Sequence, residues 1–300
     1  MIDKLIPSLI SPLAPFISAL ACRWLSRYAA PDSAALAAVA RLTPAVAVTG
    51  GSSGIGLAIA RAFSADGWTV VLIGRDAARL SDAKASFPAT RAARVYTLAL
   101  DVTAPDAATR IVNVLAALGL YLDVLVNAAG IGLAGPFESH DEPAISGLIS
   151  LNVEALTRLT RHFLPGMRAR ARGGVLNVAS LGGYVPGPNQ DAYYASKAYV
   201  CSLTEALGSE LAGSGVRMTV VAPGPVATSF HAAMGADNSL YRWLLPALSP
   251  EQTATAALSG FRLGRRVVVP GLIPKALAVL ATVTPHWISL ALMRWLLAVR

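Results

Sequence analysis

The stretch Thr49-Gly50-Gly51-Ser52-Ser53-Gly54-Ile55-Gly56 lies between a short apolar run, residues 45–49, and a helical pattern over residues 57–63. Glycine permits a tight turn and lets the backbone approach a ligand closely, and the first turn of the following helix offers unpaired N–H groups to an anion. A glycine-rich turn alone could be purely structural. Between a strand and a helix, it predicts a site for a phosphate-bearing ligand.

On both sides of this turn, short β-branched runs alternate with longer helical stretches, which is typical of βαβ units. The runs are apolar nearly throughout, as expected of strands that are covered on both faces. The predicted strands are residues 45–49, 68–73, 94–100, 122–127, 175–179, 217–222 and 266–269. We therefore expect an α/β fold, a Rossmann-like doubly wound parallel sheet of about seven strands in a single domain.

Composition restricts the function classes that need to be considered. The chain has 25 Lys and Arg against 17 Asp and Glu, a net charge of +8, which favours phosphate-bearing ligands or an anionic surface. The tightest basic cluster, Arg168, Arg170 and Arg172, alternates with small residues at a predicted helix end and indicates a solvated face, so no nucleic acid partner is expected. Cys22 and Cys201 have no suitably spaced companion, which predicts neither a disulfide framework nor a metal site and fits a reducing cytoplasm.

The two ends of the chain are more apolar than expected for a freely soluble domain. We divide the chain into an apolar, helical N-terminal extension (1–42), a catalytic domain (43–270) and a C-terminal helical tail (271–300). Residues 2–22 lack the positive block of a secretory signal, and the amphipathic residues 23–28 follow them. This start is either an interfacial membrane anchor or a helix packed on the body or on a second subunit.

The C-terminal tail is interrupted midway by Pro285 and His286, which predicts two helices rather than one spanning helix. Trp287, Arg294 and Trp295 would suit a membrane interface. A helix pair that closes a pocket, or a dimer contact, is the equal alternative. Peripheral membrane association of a cytoplasmic protein is therefore a separate hypothesis.

Tyr193 and Lys197 are four residues apart in a predicted helix, so their side chains share one face. A tyrosine has an ordinary pKa of about 10, and a neighbouring ammonium would stabilise the phenolate and move the pKa toward neutrality. Tyr194 competes for the same role but is only three residues from Lys197. The pair predicts an acid–base unit.

These features together resemble the short-chain dehydrogenase/reductase family. The spacing TGxxxGxG at residues 49–56, the motif Asn127-Ala128-Ala129-Gly130 and the spacing YxxxK from Tyr193 to Lys197 match that family's pattern. The match extends to about residue 269, roughly three quarters of the chain, and leaves both ends outside it.

The resemblance implies a catalytic tetrad of Asn152, Ser180, Tyr193 and Lys197. Tyr193 would exchange a proton with the substrate oxygen, Ser180 would hydrogen-bond that oxygen, and Lys197 would tune Tyr193 and bind the nicotinamide ribose. Asn152 would hold a water that links the lysine to solvent. The implied reaction interconverts a carbonyl and a secondary alcohol and requires no metal.

The resemblance also implies a set of residues that bind a nicotinamide cofactor. The pair Asp101-Val102 would contact the adenine, and the PGxxxT motif at residues 223–228 would hold the carboxamide through the Val226 backbone. The implied set is Thr49, Gly50, Ser52, Ser53, Gly54, Ile55, Gly56, Arg75, Asp101, Val102, Asn127, Ala128, Gly130, Tyr193, Lys197, Pro223, Gly224, Val226 and Thr228.

The end of the second strand bears on the choice of cofactor. Gly74 stands where an acidic residue would normally accept hydrogen bonds from the adenosine ribose, and Arg75 follows it. A guanidinium suits a 2′-phosphate, so we expect NADP(H) rather than NAD(H). The alternative is that Arg75 is a surface residue and that Asp76 binds the ribose.

Residues 229–246 are apolar and aromatic and are interpreted as a lid over the substrate, which predicts a hydrophobic, lipid-like carbonyl or alcohol of the 3-oxoacyl, steroid or retinoid kind. The same residues could belong to the core.

The resemblance implies a homodimer or homotetramer. One rival is an epimerase or dehydratase with a larger sugar-nucleotide domain; another is a catalytically idle nucleotide-sensing or membrane-interaction protein on the same fold.

Overall fold

The computed structural model describes residues 30–236 and 240–297. The interpretations of the apolar start up to residue 28 lie outside these ranges, as do residues 237–239 of the predicted lid. Within the described residues the chain folds as one α/β domain whose central sheet has seven strands, all of them parallel.

The strands follow the predicted runs to within two residues at each end. They are Thr43–Thr49 (β1), Thr69–Gly74 (β2), Val95–Ala99 (β3), Leu120–Asn127 (β4), Gly174–Val178 (β5), Arg217–Val221 (β6) and Val267–Val268 (β7). Their order in the sheet is β3-β2-β1-β4-β5-β6-β7. The chain crosses from one half of the sheet to the other between β3 and β4, so the carboxyl ends of β1 and β4 border the crevice where such sheets bind ligands.

Helices cover both faces of the sheet, as its apolar strands require. The α-helices are Ser33–Val39 (α1), Gly54–Ala65 (α2), Ala77–Ala85 (α3), Ala89–Ala92 (α4), Ala107–Ala117 (α5), Glu142–Ile149 (α6), Leu156–Ala169 (α7), Asp191–Glu210 (α8), Phe230–Met234 (α9), Tyr241–Leu244 (α10), Pro250–Arg262 (α11), Leu272–Val283 (α12) and His286–Leu296 (α13). A π-helical turn, Ser150–Ala155, joins α6 to α7.

Successive side chains of β1 point to opposite faces of the sheet and contribute to two separate core layers. Val46 and Val48 pack with Phe63 of α2 on one face of the sheet, whereas Ala45 and Ala47 pack with the helices of the other face. All four β1 side chains are fully buried. A strand buried on both faces cannot shift register without exposing apolar area, so the sheet fixes the position of the turn that follows β1.

The arginine cluster is exposed at Arg168 and Arg172, as predicted for a solvated face, but two of its members also bind β4. The Arg172 Nε lies 3.0 Å from the Oδ2 of the buried Asp123, and Arg170 donates a hydrogen bond to the Leu122 carbonyl. Asp123 would be a buried, uncompensated charge without this partner. The two arginines therefore tie the end of α7 to β4.

The tail forms two helices, as predicted from Pro285. The helix α12 packs against the short helical turn Leu181–Tyr184, and Leu297 at the end of α13 is fully buried beside the Tyr193 and Tyr194 cluster. None of the helices in the described ranges combines the length and apolar character needed to cross a bilayer. The tail is thus joined to the body of the domain near the residues predicted to be catalytic.

Candidate active site

The glycine-rich turn leaves β1 and enters α2, and its shape depends on the absence of side chains. Gly50 has a φ of +65°, and a Cβ there would lie 2.8 Å from the backbone nitrogen of Ala129. A Cβ on Gly56 would collide with the Gly50 carbonyl oxygen. The turn and the first residues of α2 line one cavity: Gly50, Ser52, Ser53, Gly54, Ile55 and Gly56. This cradle fits a pyrophosphate at the N-terminus of α2.

Two arginines border the same end of the cavity. Arg75 and Arg79 line it, and the Arg79 guanidinium donates to the Ser53 hydroxyl over 3.3 Å. Asp76 is engaged elsewhere, because its carboxylate caps α3 by accepting from the Arg79 backbone N–H at 3.0 Å. The positive groups thus face the cavity while the carboxylate serves the helix end.

Several predicted cofactor residues support the cavity from behind instead of lining it. The Thr49 hydroxyl accepts from the backbone N–H groups of Ala128 and Ala129, which fixes the two turns against each other. Asn127 is buried and donates to Asn177 at 2.9 Å. Ala128 and Gly130 lie on the cavity wall.

The predicted adenine-binding pair, Asp101 and Val102, also lies outside the lining of this cavity. Asp101 accepts from the N–H and hydroxyl of Thr103, and these bonds hold the pKa of Asp101 below its ordinary value, with a smaller contribution from Arg75. Val102 is buried in the core. The pair therefore forms a turn beyond β3.

The segment that follows β6 faces the glycine-rich turn. It contains Pro223, Gly224, Val226 and Thr228. All four line the cavity. The Thr228 side chain is next to Gly54, since a Cβ on Gly54 would lie 3.2 Å from Thr228 Cγ2. The predicted cofactor residues of the first and the sixth strand thus meet across one crevice.

Tyr193 and Lys197 lie on consecutive turns of α8, and both are buried. The Lys197 Nζ lies 5.7 Å from the centre of the Tyr193 ring and donates to the Val178 carbonyl at 3.0 Å. Ser180 lies two residues after the end of β5 and lines the same part of the cavity, where its hydroxyl acts to lower the pKa of Tyr193. The three predicted side chains therefore converge on the cavity wall.

Burial has opposite effects on the two titratable groups. It raises the pKa of Tyr193 above its ordinary value, the hydrogen bond from Ser180 lowers that pKa, and Tyr241 raises it further. Burial lowers the pKa of Lys197 to about 8, and Cys201 opposes this shift. Desolvation thus outweighs the lowering of the tyrosine pKa that the sequence pattern predicts, because both groups are held away from water.

Asn152 occupies the π-helical turn between α6 and α7, a distortion that is frequent at functional sites. Its side chain exchanges hydrogen bonds with the Ile131 backbone at 2.9 and 3.0 Å and donates to Ser196. A Cβ on Gly130 would lie 3.1 Å from Asn152 Oδ1 and 3.5 Å from Lys197 Nζ. The structure therefore places Asn152 and Lys197 on the same side of Gly130.

The cavity continues past Tyr193 into an apolar region and has a volume of about 570 Å³ in total. Phe230 packs on Tyr193 with ring centres 5.5 Å apart, and the Tyr241 hydroxyl contacts the His231 Nδ1 at 2.9 Å. The tail completes the wall. The apolar lining is Phe230, Met234, Tyr241, Leu245, Leu277, Leu280, Ala281, Leu292, Met293 and Leu296.

Comparisons with known proteins identify this arrangement. The family model described as short chain dehydrogenase matches residues 44–239. The chain belongs to the short-chain dehydrogenase family. It is therefore an oxidoreductase that acts on CH–OH and carbonyl groups with a nicotinamide cofactor.

The relatives of this short-chain dehydrogenase have different substrates. It is 38% identical over 201 residues to galactitol 2-dehydrogenase (L-tagatose-forming) of Cereibacter sphaeroides, a match that covers 66% of this chain and 78% of the relative. It is 31% identical to a very-long-chain 3-oxoacyl-CoA reductase of Phaeosphaeria nodorum, a match that covers 84% of this chain and 70% of the relative. The structure of a short-chain dehydrogenase from Sphingobium yanoikuyae in complex with NADPH is similar, with 29% sequence identity and a TM-score of 0.68. The match covers 81% of this chain and 97% of that structure.

Three features of the site were missed in the sequence. Arg79 follows Arg75 by four residues and could have been found from that helical spacing. Gln190, three residues before Tyr193, lines the cavity, and its buried Nε2 has no hydrogen-bond partner. Leu297 had no signal, because its burial depends on how the tail folds back.

Proposed function

We propose that this chain is an NADP(H)-dependent oxidoreductase that interconverts a hydrophobic, lipid-like ketone and its secondary alcohol. One observation carries the proposal: a single cavity runs from Arg75 and Arg79, past the Ser180 and Tyr193 pair, to a wall of apolar side chains. The basic end suits a phosphate-bearing cofactor, and the apolar end suits a hydrocarbon body.

The preference for NADP(H) is supported by charge. Two exposed guanidinium groups at the cavity border would pair with a 2′-phosphate, whereas the Asp76 carboxylate, which would repel it, caps α3. Charge-assisted hydrogen bonds contribute about 1.5–3 kcal/mol each, so loss of one guanidinium should weaken NADPH binding roughly ten- to a hundredfold. NADH binding should change little.

Fluorescence titration with NADPH and NADH tests this assignment. Arg75→Ala and Arg79→Ala should each reduce NADPH affinity selectively, and Arg91→Ala, an exposed arginine in α4, serves as the matched control. Equal affinity of the wild type for both nucleotides, unchanged by Arg75→Ala, would contradict the proposed preference for NADP(H), and tighter binding of NADH would assign the site to NAD(H).

The catalytic step follows from the residues that meet at Tyr193. A bound nicotinamide supplies a hydride to the carbonyl carbon or accepts one from the alcohol carbon. Tyr193 gives its phenolic proton to the carbonyl oxygen in reduction and takes it back in oxidation. Ser180 donates a hydrogen bond to the same oxygen as negative charge develops, and Lys197 stabilises the phenolate that the proton transfer leaves.

The substrate class is supported by the composition of the far wall. Ten apolar or aromatic side chains surround that part of the cavity, and Gln190 adds one buried amide without a partner. An unpaired buried donor favours a substrate with a second acceptor, such as an ester or thioester carbonyl near the ketone. We infer that 3-oxoacyl derivatives fit better than simple ketones.

A turnover panel distinguishes these possibilities. Medium-chain ketones, 3-oxoacyl esters and steroid ketones should be reduced with NADPH, and polyols should not. Gln190→Leu should raise KM for the 3-oxo ester by about fivefold while leaving kcat/KM for the matched simple ketone unchanged. Efficient oxidation of polyols, with no turnover of apolar ketones, would exclude the lipid-like assignment.

A further inference from the structure

The C-terminal helices carry an apolar surface beside the substrate cavity, which we call the tail face. It comprises exposed side chains of α10, α12 and α13: Trp243, Leu244, Leu272, Ile273, Val279, Leu280, Val283, Trp287, Ile288, Leu290, Leu292 and Trp295. Only Pro274 and Ala278 of α12 and Ser289 of α13 are buried. Exposed apolar patches of this extent in a folded domain mark a surface that contacts something apolar.

The tail face is continuous with the cavity. Leu280 and Leu292 line the cavity wall and are also 54% and 49% exposed. Tyr241 and Leu245 line the cavity as well, on either side of Trp243, which is 81% exposed. An apolar molecule held at this surface would therefore reach the cavity without first crossing water.

The charges on the tail face are of one sign. Lys275 of α12 and Arg294 of α13 are exposed, and neither of these helices contains Asp or Glu. Three of the chain's five tryptophans, Trp243, Trp287 and Trp295, are exposed here. Tryptophan and basic residues beside aliphatic side chains are typical of the interface of an anionic bilayer.

We propose that the tail face docks on an anionic lipid bilayer and that the substrate enters the cavity directly from that bilayer. The docking follows from the exposed side chains and their charge. The entry of substrate rests, in addition, on the lipid-like substrate of the proposed function. A second copy of this chain or its own residues 1–29 on the same face are the competing occupants.

Sedimentation with vesicles tests the docking. The full-length chain should bind phosphatidylglycerol–phosphatidylcholine vesicles more tightly than pure phosphatidylcholine vesicles. The double variant Val283→Ser with Trp287→Ser should bind at least about tenfold more weakly, because it removes two large apolar contacts. Leu263→Ser is the matched control, since Leu263 is 69% exposed, close to the 71% of Val283, but precedes β7, at the amino end of that strand, whereas α12 follows its carboxyl end.

Charge is tested separately. Lys275→Ala with Arg294→Ala should reduce the preference for anionic vesicles by about fivefold for each charge removed. No binding of the wild type to either vesicle would overturn the proposal. Vesicle binding that the tail-face variants leave unchanged would assign the contact to another part of the chain, and a change of oligomeric state in lipid-free sedimentation would assign the face to a second copy.

Rates of ketone reduction distinguish an effect on substrate entry from an effect on the chemical step. The Val283→Ser, Trp287→Ser variant should reduce a short, water-soluble ketone as the wild type does, but should lose at least about tenfold in rate on a long-chain ketone presented in vesicles. Equal loss on both substrates would overturn direct entry. Absence of ketone turnover in the wild type would instead refute the proposed function and leave the vesicle-binding result standing.

Discussion

Tyr193 and Tyr194 are adjacent, both are buried, and burial raises the pKa of both. Their surroundings distinguish them. Tyr193 has Ser180 and Lys197 beside it, whereas the Tyr194 ring fills the space left by Gly182 and Gly187, where a Cβ would collide with it. Of the two tyrosines, Tyr193 is therefore the one that lies beside the residues that we propose for proton transfer.

This difference predicts the outcome of removing each hydroxyl. Tyr193→Phe should lower kcat by about 10²–10⁴-fold because the general acid is lost. NADPH affinity, measured by fluorescence, should be retained. Tyr194→Phe is the matched control and should keep most of the activity; an inactive Tyr194→Phe with an active Tyr193→Phe would reverse the assignment.

The lowered pKa of Lys197 predicts that cofactor binding depends on pH. In the cofactor-free protein Lys197 is charged below its pKa of about 8 and neutral above it, so the contact that we propose between Lys197 and the ribose would weaken as the pH rises. NADPH affinity should fall by up to about tenfold per pH unit above pH 8. The neighbouring Cys201 has a pKa that burial raises to about 11, so it stays a neutral thiol over most of that range.

Titrations from pH 7 to 10 measure this effect. Lys197→Met should bind more weakly at pH 7 and show a flat profile, because it has no proton to lose. A wild-type affinity that does not change between pH 7 and 10 would mean that the lysine stays charged in the free protein.

At the scale of elements, the turn between β1 and α2 depends on backbone that no side chain obstructs. Gly56→Ala should weaken NADPH binding at least tenfold and lower the melting temperature, since the new Cβ would meet the Gly50 carbonyl. Gly147→Ala in α6 is the control: nothing lies within 4 Å of its Cβ position. It should be neutral or stabilise the protein by about 0.5–1 kcal/mol. Unchanged affinity in Gly56→Ala would mean that the turn relaxes.

The regular elements could be predicted from local pattern because the strands are short, mostly apolar runs that alternate with longer helical stretches. All seven strands and the break at Pro285 were predicted correctly. The π-helical turn around Asn152 and the contacts of Gln190 could not be predicted, since both depend on how distant segments pack. Asp76 was ambiguous for a similar reason: only the structure shows its carboxylate capping α3.

At the scale of the whole molecule, the tail is held to the domain at its far end. Leu297 is fully buried with Tyr194 and Met234, and its carbonyl lies 3.5 Å from the Asn189 Nδ2. Between this point and Pro274 most of the tail is exposed. A helix with so few buried side chains opens locally more easily than the sheet does.

Leu297→Ala should therefore loosen α13 without unfolding the domain. Removing a buried leucine typically costs about 2–5 kcal/mol, and here the cost should appear as local opening. Hydrogen exchange should show faster exchange in α13 and unchanged exchange in β1 and β4. Leu290→Ala, on the exposed face of the same helix, is the control. Uniformly faster exchange throughout the sheet would contradict this local model.

Six of the ten apolar side chains of the far wall come from α12 and α13, whereas the strands, the glycine-rich turn and the proposed acid–base residues all come before Pro270. A large part of the substrate wall is therefore encoded in a stretch of the gene that is separate from the proposed catalytic residues. Insertions, deletions or exchanges in the tail could change the range of substrates while leaving the catalytic residues intact. The tail is therefore a suitable segment to randomise in a library of variants.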